Sequence, residues 1–594
     1  MKKKPSKKRD IPAAKLSSQP FLKIPFLVYL VLLILLNLTA YSNTFRADWQ
    51  FDDVPNIVAN ADIQIRDLSW KSLEQAAGSR VGGYRPVAYL TFALNYYFFG
   101  FDPPSFHAFN LLIHVVNALL VFEVLRRISN LGFPGAPATA HYTFSFLAAA
   151  FWSLSPLQTQ SVTYIVQRMN LLAAFFGLLC IRSYLSWREA SPNRVWWGLG
   201  AAICALLALG SKENAVVLPL LVLALEWCFS PKNSRLTPKI TLAAVLGFLL
   251  VTGIVSWRAG LIQKVQVDYA GRDFSLSERL LTQPRVIVFH LTQLLVPLPS
   301  RLALKHEMTT STSLFSPPAT LPCLVTVLVL FGWGVICRRR WPLACFSTLW
   351  FLLGLSAESS FLPLEMIYEH RLYLPSVGFF CVCLLPMLSH SAQVKRRAQI
   401  LLCGALPILA ALTYQRNVAW KDKVSLWLDN SLKYPTSARV LTNLGTAYSE
   451  VGDLAAAENT LVRAFEADPA YPEARSNLAL LKANKGELKE ALQLMEGLTE
   501  SRGKRISHAV YFNQGVIYAK NGYTQKAIES YEKAAQLYFR YPEIHFNLAL
   551  LYLKTGERSK AQLHFRFFVA FWRGSRDDPF FLEGQRKVEE LSRS

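Results

Sequence analysis

The sequence predicts an all-α protein in two parts, a polytopic membrane helical domain of about 11 spans followed by an α-solenoid of short helical repeats. Apolar residues make up 52% of the 594 residues and charged residues only 17%, and the mean hydropathy is positive, too apolar for a water-soluble chain of this length. Long apolar runs fill the first two thirds, many of them flanked by clusters of Lys and Arg. From Trp420 these runs give way to amphipathic patterning with a recurring spacing of 34 residues.

The first run, 21–41, follows a basic start containing Lys2, Lys3, Lys4, Lys7, Lys8 and Arg9. It has the length of a bilayer span and lacks a small-residue cleavage site, so it reads as an uncleaved anchor with the N-terminus inside. The polar segment 43–83 is then outside and carries Asp48, Asp52, Asp53, Asp62, Asp67 and Glu74. Arg85-Pro86 opens a short aromatic stretch, 87–100, at the interface. Crossings follow at 106–125, which ends in Arg126-Arg127, and at 141–154, 170–187, 195–209 and 215–229, the last returning to Lys232, Arg235 and Lys239. Residues 240–257 lead outward into a longer segment, 258–319. Within it, 286–296 is short and has polar neighbours (Gln283, Arg285, His290, Gln293), so it reads as re-entrant or interfacial. Residues 321–337 run inward to Arg338, Arg339 and Arg340, 341–356 outward, 373–388 inward to the basic cluster at 395–397, and 400–413 outward. An odd number of crossings places the C-terminal third opposite the N-terminus, and a crossing by 286–296 would reverse that.

Leu444, Gly445, Tyr448, Gly452, Ala457, Ala464 and Pro469 fit the tetratricopeptide pattern, and Leu478, Gly486 and Ala491 repeat it 34 residues later. Gly515, Tyr518, Gly522, Ala527, Tyr531 and Ala534 continue the series, as do Leu548, Tyr552, Gly556 and Ala561. The step from Gly486 to Gly522 is 36, a two-residue insertion. Gly and Ala at these positions let the two helices of a hairpin approach closely, while Tyr and Leu fill the gap to the next hairpin. Residues 580–591 read as a capping helix and 417–435 as a lead-in half repeat. Such a superhelix offers a groove to an extended partner, or serves as a spacer or dimer interface.

The formal charge of +23 sits largely in clusters beside apolar runs, the pattern of cytoplasmic membrane loops, and no basic helix or aromatic-basic stripe of a nucleic-acid reader is present. The 9 cysteines lie in or beside apolar segments without a CxxC pair, which excludes a disulfide framework or zinc site as their reading.

Phe51-Asp52-Asp53, in the first outer loop, places two adjacent carboxylates near a membrane surface, where they are costly to desolvate unless paired or used. The plain alternative is a solvated acidic turn or a helix N-cap ahead of Pro55. Arg85, Gln167-Arg168 with Asn170, Lys212-Glu213 and Tyr368-Glu369-His370-Arg371 fall at helix ends on the same side. Singly, each reads as a snorkelling or salt-bridged residue. Together they suggest a cationic pocket for a phosphate beside a carboxylate base, the arrangement needed to use a lipid-phosphate-activated sugar. No nucleotide-binding glycine loop is present.

Phe51-Asp52-Asp53 with Asn60, Arg85-Pro86, the stretch Pro156 to Arg168 (PLQTQSVTYIVQR), Ser211-Lys212-Glu213 and Glu369 to Pro375 (EHRLYLP), joined to C-terminal repeats, resemble the transmembrane and tetratricopeptide-repeat O-mannosyltransferases and their bacterial relatives. The resemblance implies a GT-C type membrane glycosyltransferase that takes a sugar, mannose or another hexose, from a polyprenyl-phosphate donor on the extracytoplasmic face. It places the acidic motif on Asp52 and Asp53, with Asp52 as base and Asp53 orienting it or the acceptor. Arg85, Arg168, Lys212, Glu213, His370 and Arg371 are then candidates for the donor-phosphate and substrate site. Ser155 stands before Pro156 where members of the family often have His, so any role of that His is absent or moved. No second acidic cluster is evident, so no metal is expected to be required, with a divalent ion as the open alternative.

The expected division is a basic cytoplasmic tail at 1–20, a transmembrane glycosyltransferase domain at 21–415, a linker or half repeat at 416–436, and repeats with a cap at 437–594. Ser or Thr hydroxyls of extracytoplasmic proteins, gathered by the repeats, are the expected acceptors. Transfer to a lipid or polysaccharide, and a non-enzymatic membrane scaffold, are the competing readings. Short loops and the lack of a targeting peptide fit a bacterial inner membrane, with a cytoplasmic N-terminus and periplasmic repeats.

Overall fold

The computed structural model describes residues 25–230 and 272–593, except 82, 190–192, 389–391, 497, 499–505 and 573–577, together with scattered positions between 231 and 271. The basic start, Lys232, Arg235 and most of 240–257 lie outside the described residues. No strand occurs among the described residues, and the helices fall into an apolar bundle followed by a run of helical hairpins.

Among the described residues, six helical segments are long and apolar enough to cross a bilayer: Phe26–Arg46, Pro103–Gly132, Ile165–Arg188, Arg194–Ser211, Thr320–Arg339 and Arg396–Val418. The other described apolar helices of the bundle are shorter. Pro86–Phe99 begins on a proline at its first turn, where the missing N–H costs nothing. Ala138–Ser153, Leu218–Phe229 and Pro342–Ser356 pack inside the bundle, so hydropathy alone reads them as equivalent to the full-length spans. The stretch 286–296 is the second half of one helix, Leu276–Leu295, started by a capping box between Ser275 and Glu278 and running on through Pro284.

Polar side chains tie the bundle to its loop end. The Tyr373 hydroxyl meets His114 Nδ1 at 2.7 Å and accepts from Asn117 Nδ2 at 3.2 Å, while Trp152 Nε1 donates to the Tyr373 carbonyl at 2.7 Å. Trp350 Nε1 donates to the Leu374 carbonyl at 2.9 Å. Four buried groups thus fix the turn that follows Arg371, and hydrogen bonds of this kind are strongly favoured where water cannot compete.

Gly378 marks the closest helix crossing. A Cβ there would lie 2.3 Å from the Ser347 carbonyl oxygen and 3.0 Å from the Phe351 nitrogen, both backbone atoms of Pro342–Ser356. Gly378→Ala must therefore push two helices apart, and we expect a loss of about 3 kcal/mol of stability. A lowered midpoint of thermal aggregation in detergent, against an unchanged midpoint for Gly404→Ala at a site with open space, is the check.

The solenoid consists of the hairpins Ala438–Glu450 with Leu454–Ala467, Pro472–Asn484 with Leu488–Met495, His508–Lys520 with Thr524–Leu537, and Pro542–Lys554 with Arg558–Phe571. Pro579–Arg593 caps it and Lys423–Lys433 leads into it. The turn glycines Gly452, Gly486, Gly522 and Gly556 have φ between 80° and 87°, the left-handed region that favours glycine. A Cβ on Gly445 would meet Leu461 Cγ at 2.6 Å, which is why a small residue recurs there.

Candidate active site

Asp52 sits in a tight turn built by its neighbours. Phe51 has φ 36°, and holding a bulky side chain in that region costs on the order of 1–3 kcal/mol. The turn is held by Asp53, which is fully buried. Its Oδ1 accepts from the Val166 N–H at 2.7 Å and its Oδ2 from the Gln50 N–H at 2.9 Å. Burial pushes the Asp53 carboxyl well up, and these backbone donors partly offset it. Asp53 thus clamps the loop around Phe51 onto the start of Ile165–Arg188.

Asp52 remains partly exposed. Its N–H donates to the Tyr164 hydroxyl at 2.7 Å. Burial raises the pKa of its carboxyl above the usual range, against the pull of a hydrogen bond to Tyr164 and of the Lys305 charge. Of the two adjacent carboxylates Asp52 is thus the accessible one, more basic than a free aspartate and held beside a phenol.

The stretch PLQTQSVTYIVQR forms the floor under this loop. Gln160 Oε1 accepts from the His370 N–H at 2.8 Å, and Asn170 Nδ2 donates to the His370 carbonyl at 2.6 Å. Gln158 Nε2 donates to Ser376 Oγ at 3.2 Å. Ser155 is buried and its hydroxyl has no hydrogen-bond partner. One segment therefore holds the Asp52 loop on one flank and the EHRLYLP turn on the other.

Cations collect on that second flank. Lys212 is buried, with Nζ 3.6 Å from Glu358 Oε1 and 3.5 Å from Gln167 Oε1. Arg371 Nε is 3.9 Å from Glu358 Oε2, and its Nη1 donates to the Met366 carbonyl at 3.1 Å. Two cations thus share one carboxylate, both at long range. The His370 ring stacks on Tyr368 at 5.0 Å, and its buried Nδ1 has no hydrogen-bond partner. Burial first, then Lys212, Arg371 and Arg85, push the His370 pKa well below the usual value, so the ring is neutral. Arg85 acts electrostatically on both Asp52 and His370. Arg85 itself pairs with Glu213 at 3.0 Å, across a close approach where a Cβ on Gly83 would lie 2.7 Å from Glu213 Oε1.

Arg168 is the one candidate that the geometry removes from the pocket. It is fully buried and donates to Asn110 Oδ1 and Asn95 Oδ1, each at 2.8 Å, and to the carbonyls of Phe106 at 3.0 Å and Thr91 at 3.2 Å. Phe92 lies under its guanidinium at 4.7 Å. Its donors are taken up by the protein, so it joins Pro86–Phe99 to Pro103–Gly132 instead of facing a phosphate.

Other residues enter from segments that carried no motif. Lys305 Nζ lies 5.0 Å over the Tyr368 ring and 6.0 Å from Phe51, and pairs with Glu365 Oε2 at 3.3 Å. Glu365 also pairs with Arg272 at 3.0 Å and Arg439 at 3.2 Å. Burial alone would raise the Glu365 pKa, but the three cations outweigh it and hold the group at about 2. Burial lowers Lys305 to about 8 in spite of Glu365. Arg279 shapes the acidic loop by donating to the carbonyls of Glu358 at 2.7 Å, Ser360 at 2.9 Å and Leu364. The only sequence signal for Lys305 was the run Lys305-His306-Glu307 inside a long outer segment. Among the described residues no group of three or more His, Cys, Asp or Glu is placed to hold a metal ion.

Fold and site together define a polytopic membrane protein whose bundle carries a cluster of carboxylates and cations and continues into a tetratricopeptide-repeat solenoid. The tetratricopeptide repeat family matches residues 448–509, and a second TPR repeat description matches 515–556. The chain is similar in sequence to proteins named protein O-mannosyl-transferase, in agreement with the resemblance read from its motifs. It is 25% identical to protein O-mannosyl-transferase F38B6.6 of Caenorhabditis elegans, over 75% of this chain and 63% of that one. It is 32% identical to Tmtc2 of Drosophila melanogaster over 50% and 33%, and 24% identical to TMTC3 of Mus musculus over 87% and 64%. The chain thus spans between 33% and 64% of the length of these relatives. Among solved structures, the thermophilic tetratricopeptide-repeat protein TTC0263 of Thermus thermophilus aligns at 18% identity and TM-score 0.24, over 32% of this chain and 97% of that one.

Proposed function

We propose that this protein is a membrane glycosyltransferase that moves mannose or another hexose from a polyprenyl-phosphate donor to Ser or Thr hydroxyls of extracytoplasmic proteins. The observation that carries the reading is the pairing of Lys212 and Arg371 with a single distant carboxylate, Glu358, beside the neutral His370. A cluster with surplus positive charge near the Asp52 carboxylate suits a leaving phosphate on one side and an attacking hydroxyl on the other. In this reading Asp52 takes the acceptor proton as the oxygen attacks the anomeric carbon. Lys212, Arg371, Lys305 and Arg85 offset the charge of the departing polyprenyl phosphate. His370 donates or accepts a hydrogen bond there through Nδ1. Asp53, Tyr164 and Arg168 position the loop and floor. The printed names of the relatives support mannosyl transfer to protein as the first activity to test.

The protein is placed in a membrane by its apolar helices; a bacterial inner membrane, with the N-terminus cytoplasmic and Asp52, the cations and the repeats outside, is part of the proposal. The test is transfer of radiolabelled mannose from a polyprenyl-phosphate donor to a Ser/Thr-rich unfolded acceptor by purified protein, with a lipid acceptor in a parallel reaction.

The pH dependence has a definite sign. Asp52 must be ionised, and its carboxyl is raised above the usual range, so activity rises with pH through a point above that of a free aspartate. Lys305 must be charged, and it titrates at about 8, so activity falls above that pH. Lys305→Arg stays protonated, so in this variant the alkaline fall moves upward or disappears. An unchanged alkaline limb in Lys305→Arg would assign the fall to another group.

A further inference from the structure

The solenoid is not merely tethered to the bundle. The segment from Leu302 to Glu307 is gripped by the lead-in helix and the start of the first repeat. Asn430, fully buried, accepts from the Lys305 N–H at 3.1 Å, and its own Nδ2 donates to the Leu426 carbonyl at 2.7 Å, which fixes the orientation of its amide. The Tyr434 hydroxyl meets His306 Nδ1 at 2.9 Å, and His306 Nε2 meets Glu369 Oε1 at 2.8 Å, one residue before His370. Lys433 reaches the Leu302 carbonyl and Ser437 reaches Glu307. On the other side of the pocket the Trp427 ring packs edge-on against Phe51 at 5.8 Å, and the Asp48 N–H donates to the Lys421 carbonyl at 3.0 Å. Arg439, on the first helix of the first repeat, closes the ring by pairing with Glu365, the partner of Lys305.

We infer that the lead-in helix and first repeat form one wall of the catalytic pocket, with Asn430 and Arg439 as positioning residues that set Lys305 opposite Asp52. The inference rests on the glycosyltransferase reading for its catalytic consequence, and on contacts alone for its geometry. Asn430 fixes the Lys305 backbone through a hydrogen bond made from a rigid helix. Arg439 competes with Lys305 and Arg272 for Glu365, and so limits how far the Lys305 ammonium is drawn away from Asp52. Lys305 faces the acids Glu365 and Asp52, the cation Arg439 and the rings of Tyr368 and Phe51. A wall made from the repeats couples acceptor capture to the geometry of the site, because movement of the first repeat moves Lys305.

The test uses the full-length protein and its Asn430→Ala and Arg439→Gln variants. In wild type, hydrogen exchange of the peptide covering 302–307 is slow. In Asn430→Ala it accelerates by about tenfold or more while the last two hairpins keep wild-type protection. Mannosyl transfer in Asn430→Ala falls by about 10- to 100-fold in kcat, as expected when a charged group is displaced by a fraction of its reach. In Arg439→Gln, Lys305 loses a repelling neighbour and the alkaline limb moves to higher pH, a change that a purely structural role of Arg439 would not produce. Unchanged exchange at 302–307 in Asn430→Ala overturns the wall, whether or not the protein transfers sugar. Accelerated exchange with wild-type kcat and an unmoved alkaline limb overturns the positioning role. Absence of transfer by the wild type refutes the glycosyltransferase reading instead, and the exchange result still decides the contact.

Discussion

Asp52→Asn abolishes sugar transfer while leaving the protein folded and in the membrane. Removing a general base from a positioned site costs on the order of 10²- to 10⁴-fold in rate. Asn is nearly isosteric, and the backbone N–H of residue 52 can still donate to the Tyr164 hydroxyl, so the turn at Phe51 is retained. The variant is partly exposed and creates no cavity, so its thermal midpoint in detergent stays near that of wild type. Asp53→Asn is the opposite case. One of its two oxygens becomes an NH₂ facing a backbone N–H of Gln50 or Val166, so that variant loses its hold on the loop. The contrast between the adjacent positions separates the chemical carboxylate from the structural one.

The second large effect is on donor use. Lys212→Met and Arg371→Gln each remove one of the two cations that share Glu358, and the double variant leaves Glu358 without either. If the phosphate is held there, each single variant raises the KM for the polyprenyl-phosphate donor and lowers kcat. A charge-assisted contact to a phosphate is worth roughly 1.5–3 kcal/mol, or about 10- to 100-fold. The double variant loses less than the product of the two, because both side chains act on the same group. Burial holds the Lys212 ammonium below its usual pKa, so Lys212→Met also removes a desolvated charge and is not expected to destabilise the fold strongly. Steady-state kinetics against donor concentration, at fixed acceptor, is the measurement.

Much of this arrangement could be read before the structure, for identifiable reasons. The repeats have a fixed period and turn glycines whose positive φ admits few other residues, so Gly452, Gly486, Gly522 and Gly556 mark their own positions. Asp52, Arg85, Lys212, His370 and Arg371 stand out in the sequence because charges at the ends of apolar runs are rare and the count of crossings puts them on one side; their role as a site is part of the proposal. The same reasoning put Arg168 in the pocket. Periodicity cannot tell that Asn95 and Asn110, on two other helices, take up its guanidinium. Lys305 and Glu365 were missed because they lie in irregular loops whose partners are far away in sequence, Arg439 being 74 residues from Glu365. The docking of the lead-in helix was missed for the same reason, since a half repeat announces its helix and not the loop it covers. Among the described residues, helix length likewise separates six helices long enough to span a bilayer from shorter buried apolar helices, a distinction that hydropathy runs blur.

Whether Asp52 carries chemistry beside a phosphate site decides between a transferase and a scaffold. The direct measurement is intact-mass analysis of a Ser/Thr-rich acceptor incubated with polyprenyl-phosphate mannose and either wild-type protein or Asp52→Asn of equal thermal midpoint. Hexose additions are expected with wild type and none with the variant. Equal hexose addition by both proteins would contradict a catalytic role of Asp52.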